Sequence, residues 1–112
     1  CKRTLENNES VYVIPKSRII HFGAKAVNDE FFNEIEFSRN WHWMWSTFNY
    51  HKKHKGFLIS FFIVFPKLGS SIIKVLIYSL SFNKEKREIY SKRLSGLVNA
   101  MIGKTSWYRP KV

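Results

Sequence analysis

The chain has 112 residues, enough for about one domain, and 45% of them are apolar and 17% aromatic, a composition that argues against wholesale disorder. Six of the 19 basic and six of the eight acidic residues lie in residues 1–50, so the remaining 13 basic and two acidic residues carry the whole net charge of +11. The second half therefore favours a polyanionic partner, either an anionic lipid surface or nucleic acid. The single cysteine excludes an internal disulfide, and because the sequence starts at Cys1 instead of methionine we expect a fragment of a longer protein.

The N-terminal part combines a helix end with two apolar runs. Residues 1–8 have the composition of the last turns of a helix, which we expect to stop at Asn8 because asparagine tolerates the left-handed conformation. The β-branched runs 11–14 and 17–22 are closed by a proline and a glycine, so the pattern predicts two short strands. Their near-continuous apolar character favours addition to a larger, covered sheet.

A long aromatic helix is predicted next. It runs from near Glu30 to Lys55, with Asn28 or Asp29 as its cap and Gly56 as its end. At about 3.6 residues per turn, one stripe of large apolar side chains is expected to be buried. Its members are Phe37, Trp41, Met44, Trp45 and Phe48. The side chains expected off this stripe include Arg39, His42, Tyr50 and Lys53.

Two apolar segments follow this helix. Residues 57–65 and 70–82 are each shorter than the roughly 20 residues needed to cross a bilayer, and Pro66, Lys67 and Gly69 interrupt their union. We therefore predict an interfacial or shallowly re-entrant helical hairpin. One kinked spanning helix over residues 57–82 is the alternative.

The last predicted element is a basic amphipathic helix over residues 84–102 that ends at Gly103. Its inward side chains are expected to be Ile89, Leu94, Leu97, Val98, Met101 and Ile102. The fold class is thus a mainly α fragment, in which two short β-strands precede a long aromatic helix, an apolar kinked helix or helical hairpin, and a basic amphipathic helix.

Several stretches, in their order and spacing, resemble one enzyme family. Cys1-Lys2-Arg3 resembles the end of a Glu-Asp-x-Asp-Leu-Cys-x-Arg motif. Residues 11–15 and 19–25 resemble a strand pair with a His-x-Gly-x-(Ser/Lys) motif, and residues 38–54 resemble a helix rich in aromatic, Arg and Lys-His residues. These are motifs of the bacterial family 2 glycosyltransferases of the rhamnosyltransferase-like group.

The resemblance implies an inverting enzyme of GT-A fold, in which residues 1–27 form the C-terminal edge of the nucleotide-sugar transferase domain. Residues 28–112 would be a helical, membrane-associating extension. The general base and the Asp-x-Asp motif would lie upstream of Cys1, so no catalytic residue is expected in this chain, and the fragment alone should be inactive. A divalent cation, Mg²⁺ or Mn²⁺, would assist departure of the diphosphate. The partners implied are a nucleotide-sugar donor and a saccharide or lipid-linked acceptor in cell-surface polysaccharide synthesis.

Within the chain, the resemblance points to His21 as a metal ligand or a donor to the diphosphate, with Lys25 beside it. The alternatives are a half-buried histidine that bonds a backbone carbonyl and a solvated lysine. Arg39, Trp41 and His42 are candidates for an acceptor pocket. The alternative for Trp41 is a place in the core, because an aromatic stripe at helical spacing is usually buried.

The basic half predicts peripheral or shallowly inserted contact with an anionic membrane, and the family resemblance implies the cytoplasmic face of the inner membrane. The residues expected to make this contact are Lys52, Lys53, Lys55, Phe57, Phe61, Phe62, Lys67 and Lys74. The alternative to membrane contact is that residues 57–82 form a buried helical hairpin with a solvated basic edge. Two other functions compete: a basic aromatic nucleic-acid-binding module, and a membrane-anchoring module without catalysis. Because the charge flanks long apolar runs, we expect no nucleic-acid partner.

Overall fold

The structure, a computed structural model, describes residues 2–20 and 31–111. These residues form four α-helices and an irregular C-terminal tail. The helices are α1 (Lys2–Glu6), α2 (Phe32–Lys55), α3 (Phe57–Leu80) and α4 (Lys84–Met101). Helices α2, α3 and α4 pack against one another in all three pairings and form a small bundle.

The two predicted β-strands are wrong for the residues that the structure describes. Residues 11–14 and 17–20 have no regular secondary structure, and residues 15 and 16 form a turn in which the Ser17 N–H donates to the carbonyl oxygen of Ile14 (3.2 Å). The physical reason is that β-branched residues form a strand only with a hydrogen-bonded neighbour, and the described part of the chain offers none. Val13 is accordingly 86% exposed. Residues 2–20 therefore do not form the predicted edge of a sheet. The predicted domain boundary at residue 27 falls outside the described residues.

The predicted ends of the first two helices are confirmed. Asn8, just after α1, adopts a left-handed φ of 57°, and the Asn7 N–H donates to the carbonyl oxygen of Arg3 (3.1 Å). Gly56 ends α2 with a φ of 82°, a value that costs a residue with a side chain more than it costs glycine. Helix α2 starts at Phe32, and the predicted cap residues lie outside the described residues.

Helix α3 is one continuous helix over residues 57–80, so the predicted hairpin is wrong. The alternative is confirmed in so far as the segment is a single helix, and its crossing of a membrane stays a prediction. Pro66 lies inside α3 and removes one backbone hydrogen bond, the one to the carbonyl oxygen of Phe62. That loss is local. The packing of α3 against both neighbouring helices offsets it, so the chain does not need to turn at the proline.

Helix α4 begins with a side-chain cap, because Asn83 accepts a hydrogen bond from the backbone N–H of Lys86 (3.2 Å). It ends at Met101, and Gly103 follows with a φ of 78°. Its predicted inward stripe is only partly correct, since Val98 is 42% and Ile102 61% exposed. The stripe that is buried is narrower and includes small residues: Gly96, Leu97 and Ala100.

The core lies where α4 crosses α2 and α3. Phe48, Val64, Leu97 and Ala100 are buried against one another, and Trp41 is fully buried beside them. Two observations confirm the predicted stripe of α2: Phe37, Trp41 and Phe48 are buried, and Met44 and Trp45 are half-buried. Helices α2 and α4 come close together at Gly96, where an added Cβ would overlap the carbonyl oxygen of Trp41.

Candidate functional site

Helix α3 buries only small side chains against its neighbours and exposes most of its large apolar ones. The side chains buried against α2 and α4 are Ser60, Val64 and Ser71. Both serines satisfy their hydroxyls within the helix, Ser60 on the carbonyl oxygen of Gly56 and Ser71 on that of Lys67. We call the opposite side the outer face of α3, formed by the exposed residues Leu58, Ile59, Phe62, Phe65, Ile72, Ile73, Leu76, Ile77 and Leu80.

The outer face is the reverse of what water selects for a helix on a small soluble bundle. With 24 residues and a mean hydropathy of 1.7 in its most apolar window, α3 meets the length and composition needed to cross a membrane. Only 17% of that window is buried inside the bundle. Exposed apolar surfaces of this extent are typical of interaction sites.

The predicted membrane-contact residues fall on two sides of the bundle. Phe57 and Phe62 are exposed, whereas the half-buried Phe61 packs edge-on against Phe62. The lysines near the end of α2 are exposed: Lys52, Lys53 and Lys55. Lys67 and Lys74 turn away from the outer face and line a cleft between the helices.

This cleft, called the basic cleft here, has a volume of about 320 Å³ and is bounded by α2, α3 and α4. Its cationic side chains are Lys67, Lys74 and Arg93, and its aromatic ones are Trp43 and Tyr90. The other lining residues are Met44, Pro66, Ser70 and Ser71, so no described lining residue is acidic.

Cations and rings alternate along one wall of the basic cleft. The Lys74 ammonium lies 4.8 Å from the centre of the Tyr90 ring, and the Arg93 guanidinium carbon lies 5.1 Å from the same centre. Arg93 is also 5.8 Å from the Trp43 ring, and Tyr78 stacks on Tyr90 at 5.5 Å. Electron-rich ring faces partly offset the repulsion between neighbouring cations.

A second cleft of about 420 Å³, the polar cleft, adjoins the first because Trp43 and Arg93 line both. Two of the three predicted acceptor residues, Arg39 and His42, line the polar cleft. The remaining lining residues are Glu36, Asn40 and Ser46. Glu36 forms an ion pair with Arg39 (3.0 Å). The buried Asn40 donates from its amide nitrogen to the Glu36 carboxylate and accepts from the Arg93 guanidinium at its amide oxygen.

Trp41, the third predicted acceptor residue, lies in the core. Its side chain is fully buried, its indole N–H donates to the Ser95 hydroxyl (3.2 Å), and Trp45 and Tyr108 stack on it at 6.4 Å and 5.8 Å. The ring therefore offers no open surface to a sugar, and the alternative of a core residue describes it.

His42 is held by the C-terminal tail. Its Nε2 lies 2.9 Å from the carbonyl oxygen of Tyr108, and its Nδ1 lies 3.0 Å from the Ser106 hydroxyl. Because a carbonyl only accepts, Nε2 carries a proton and donates to Tyr108, and Nδ1 and the Ser106 hydroxyl form the second hydrogen bond. With Trp41, Trp45, Trp107 and Tyr108, this histidine forms what we call the aromatic cluster.

The predicted donor and metal residues, His21 and Lys25, lie outside the described residues. Within residues 2–20 and 31–111, no group of three His, Cys, Asp or Glu side chains could hold a metal ion. The described residues therefore do not fit a Mg²⁺ or Mn²⁺ site, and no chemical step is assigned to such an ion.

No protein-family model, curated protein or solved structure matches the chain.

Trp43, Tyr90 and Arg93 were not predicted as site residues, and the fold brings them together in the basic cleft. A partial signal was available. Trp43 lies off the buried stripe of α2, and Tyr90 and Arg93 are three residues apart, so they share one face of α4. Which helix that face meets depends on the packing of the bundle.

Proposed function

We propose that this chain docks on an anionic membrane as the C-terminal part of an inverting glycosyltransferase, with the outer face of α3 in the lipid interface. The observation that carries the docking is the outer face itself, nine exposed apolar side chains on one 24-residue helix. Burying such side chains from water is worth about 1.5–3 kcal/mol each when burial is complete, so even shallow insertion is strongly favoured.

The packing of the bundle favours a helix lying in the plane of the membrane over one that crosses it. Helix α3 would extend for roughly 36 Å, more than the hydrocarbon thickness of about 30 Å. However, α2 and α4 pack against it and carry charged residues such as Lys53, Arg87 and Lys92. A crossing would take these charges into the hydrocarbon, whereas an in-plane orientation leaves them in water.

Charge complementarity supports an anionic leaflet over a neutral one. Residues 51–112 carry 13 of the 19 basic residues and two of the eight acidic ones. Each basic residue near a negatively charged surface adds about 1 kcal/mol. Because apolar contact and charge act on the same part of the chain, they would reinforce each other.

The transferase part of the proposal depends on the sequence resemblance and on the polar cleft. Arg39 and Glu36 supply a donor and an acceptor of the kind that bind sugar hydroxyls, and Trp43, 64% exposed, presents a ring beside them. Both ring nitrogens of His42 are bonded to the C-terminal tail, so this residue contributes to the wall of the polar cleft and not to its free polar atoms. The donor sugar, the general base and the divalent cation would be held by the rest of the enzyme, on the cytoplasmic side where the docked face would lie.

Flotation of the 112-residue chain with lipid vesicles tests the docking. We expect it to rise with vesicles containing phosphatidylglycerol and to stay down with purely zwitterionic ones, and we expect no mobility shift with single-stranded RNA at about 0.15 M salt. A shift with RNA and no flotation would reject the proposal in favour of a nucleic-acid-binding module.

The transferase role is tested in the full-length enzyme by replacing Arg39 with Ala and measuring sugar transfer from a nucleotide-sugar donor. We expect the KM for the acceptor to rise by about tenfold and the KM for the donor to stay unchanged. If the chain floats with vesicles but the full-length protein transfers no sugar, the transferase role is rejected and a membrane-anchoring module remains as the function.

A further inference from the structure

The basic cleft concentrates positive charge that no carboxylate balances. Lys67, Lys74 and Arg93 line it together, and the one side-chain ion pair in the described part of the chain joins Arg39 to Glu36 in the polar cleft. Two of the three cations lie within about 5 Å of a single ring, that of Tyr90. Like charges held this close repel each other, and a bound anion would relieve the repulsion.

Arg93 is oriented for such an anion. Its Nε donates to the side-chain oxygen of Asn40 (2.6 Å), and Asn40 is 3% exposed and fixed through its own donation to Glu36 (2.8 Å). Among the described residues, the terminal guanidinium nitrogens of Arg93 have no hydrogen-bond acceptor. A guanidinium with one edge anchored and its terminal nitrogens available suits bidentate binding of a tetrahedral oxyanion.

The basic cleft also lies beside the outer face of α3. Pro66, Ser70 and Lys74 are spaced four residues apart and lie along one ridge of the helix. Helical spacing places Ile73 and Ile77 next to this ridge, and both belong to the outer face. An anion in the cleft could therefore carry apolar chains that continue along the outer face.

From this arrangement we propose that the basic cleft binds a phosphate group, and that the phosphate is the headgroup of a membrane lipid. Lys67 and Lys74 would neutralise the charge, Arg93 would donate to two oxygens, and the hydroxyl of Ser70, which also lines the cleft, would donate to a third. This inference deepens the proposed docking function and rests on it for the source of the phosphate. The phosphate site itself is independent of the membrane.

Calorimetric titration of the 112-residue chain with sodium diphosphate tests the site without any lipid. We expect measurable binding that Lys74→Gln and Arg93→Gln each weaken by about tenfold, the loss of one charge-assisted contact. The matched control is Lys84→Gln, an exposed lysine of the same helix as Arg93 that lies outside the cleft, and it should change the affinity by less than about twofold.

Lys74→Gln keeps the hydrogen bond between Asn40 and Arg93, so this variant answers the question even if Arg93→Gln fails to fold, which circular dichroism would detect. Absent binding of diphosphate, or equal weakening by Lys84→Gln, overturns the phosphate site. Flotation on phosphatidylglycerol is measured separately, so a docked protein without a phosphate site remains distinguishable.

Vesicles of matched total charge distinguish a lipid from a soluble source. We expect the chain to bind vesicles with phosphatidic acid, whose phosphate is terminal, about tenfold more tightly than vesicles with phosphatidylglycerol, and we expect Lys74→Gln to abolish this preference. Equal binding to both vesicles, with diphosphate still bound in solution, overturns the lipid source.

Discussion

The aromatic cluster and the outer face of α3 are built from large apolar side chains and meet opposite surroundings. Within the cluster, the indole N–H groups of Trp41, Trp45 and Trp107 each donate to an oxygen of the same chain. The outer face carries no such polar atom, and its side chains are exposed. Directional hydrogen bonds fix the rings of the aromatic cluster against specific atoms of the chain. The outer face has no such bonds and is suited to any apolar medium, such as a lipid interface.

The largest effect is expected from removing the centre of the aromatic cluster. Trp41→Ala should lower the free energy of unfolding by about 3–5 kcal/mol, because it deletes a fully buried ring and removes one of the two donors to the Ser95 hydroxyl. Urea denaturation followed by circular dichroism measures this. The control is Trp43→Ala, at an exposed ring, with an expected loss below about 1 kcal/mol. Equal losses would show that the two tryptophans do not differ in environment.

The contact between α2 and α4 provides the next test. Gly96→Ala should cost about 1–3 kcal/mol of unfolding free energy, because the new methyl group would overlap the carbonyl oxygen of Trp41 and force the helices apart. Gly69→Ala, in α3, is the matched control. Nothing lies within 4 Å of its added Cβ, so it should raise stability by about 0.5–1 kcal/mol. A neutral Gly96→Ala would contradict the close crossing.

A double substitution on the outer face should separate folding from docking. Phe62→Ser with Leu76→Ser removes two exposed apolar side chains, so stability should change by less than about 0.5 kcal/mol per site. Affinity for anionic vesicles, measured by flotation, should fall by about thirtyfold, which corresponds to about 1 kcal/mol for each partly inserted side chain.

Val13→Ser with Ile14→Ser is the control for this test, because it removes two equally exposed apolar side chains that lie outside α3. Vesicle affinity should be unchanged. If both double variants lost affinity alike, general hydrophobicity and not the outer face would cause the binding.

The smallest effect is expected at the junction that joins α3 to the basic helix. Asn83→Ala should cost about 1 kcal/mol in urea denaturation, because it removes the acceptor for the backbone N–H of Lys86. Asn83→Asp retains a side-chain oxygen at the cap and should cost less. The reverse order would show that this hydrogen bond is not what stabilises the start of α4.

Local signals in the sequence predicted several helix ends correctly. Asn8, Gly56 and Gly103 adopt left-handed backbone conformations, which depend on the residue itself and not on distant contacts. Prediction failed where an outcome depends on what lies beside the segment. The run 11–14 has strand-like residues but no strand partner among the described residues. Pro66 lies inside a helix that stays continuous because α2 and α4 pack against it.

The candidate sites divide in the same way. An apolar, basic second half was readable from composition, since hydropathy and charge are properties of the residues alone. The places of Lys67 and Lys74 were not, because a lysine among apolar residues can face lipid headgroups or a neighbouring helix with equal local cost. The assignment of Trp41 to an acceptor pocket is a comparable case, as its burial depends on a tail more than 60 residues away in the chain.

The sequence by itself determined where α1, α2 and α4 stop and that the second half is apolar and cationic, because backbone preference, hydropathy and charge are carried by each residue. Only the tertiary structure decided that α3 turns Ser60, Val64 and Ser71 inward and most of its large side chains outward, and that Trp43, Lys74, Tyr90 and Arg93 meet in one cleft. The physical reason is that packing selects among helix faces through the fit of three helices together, and contacts at Gly96 and Trp41 set that fit.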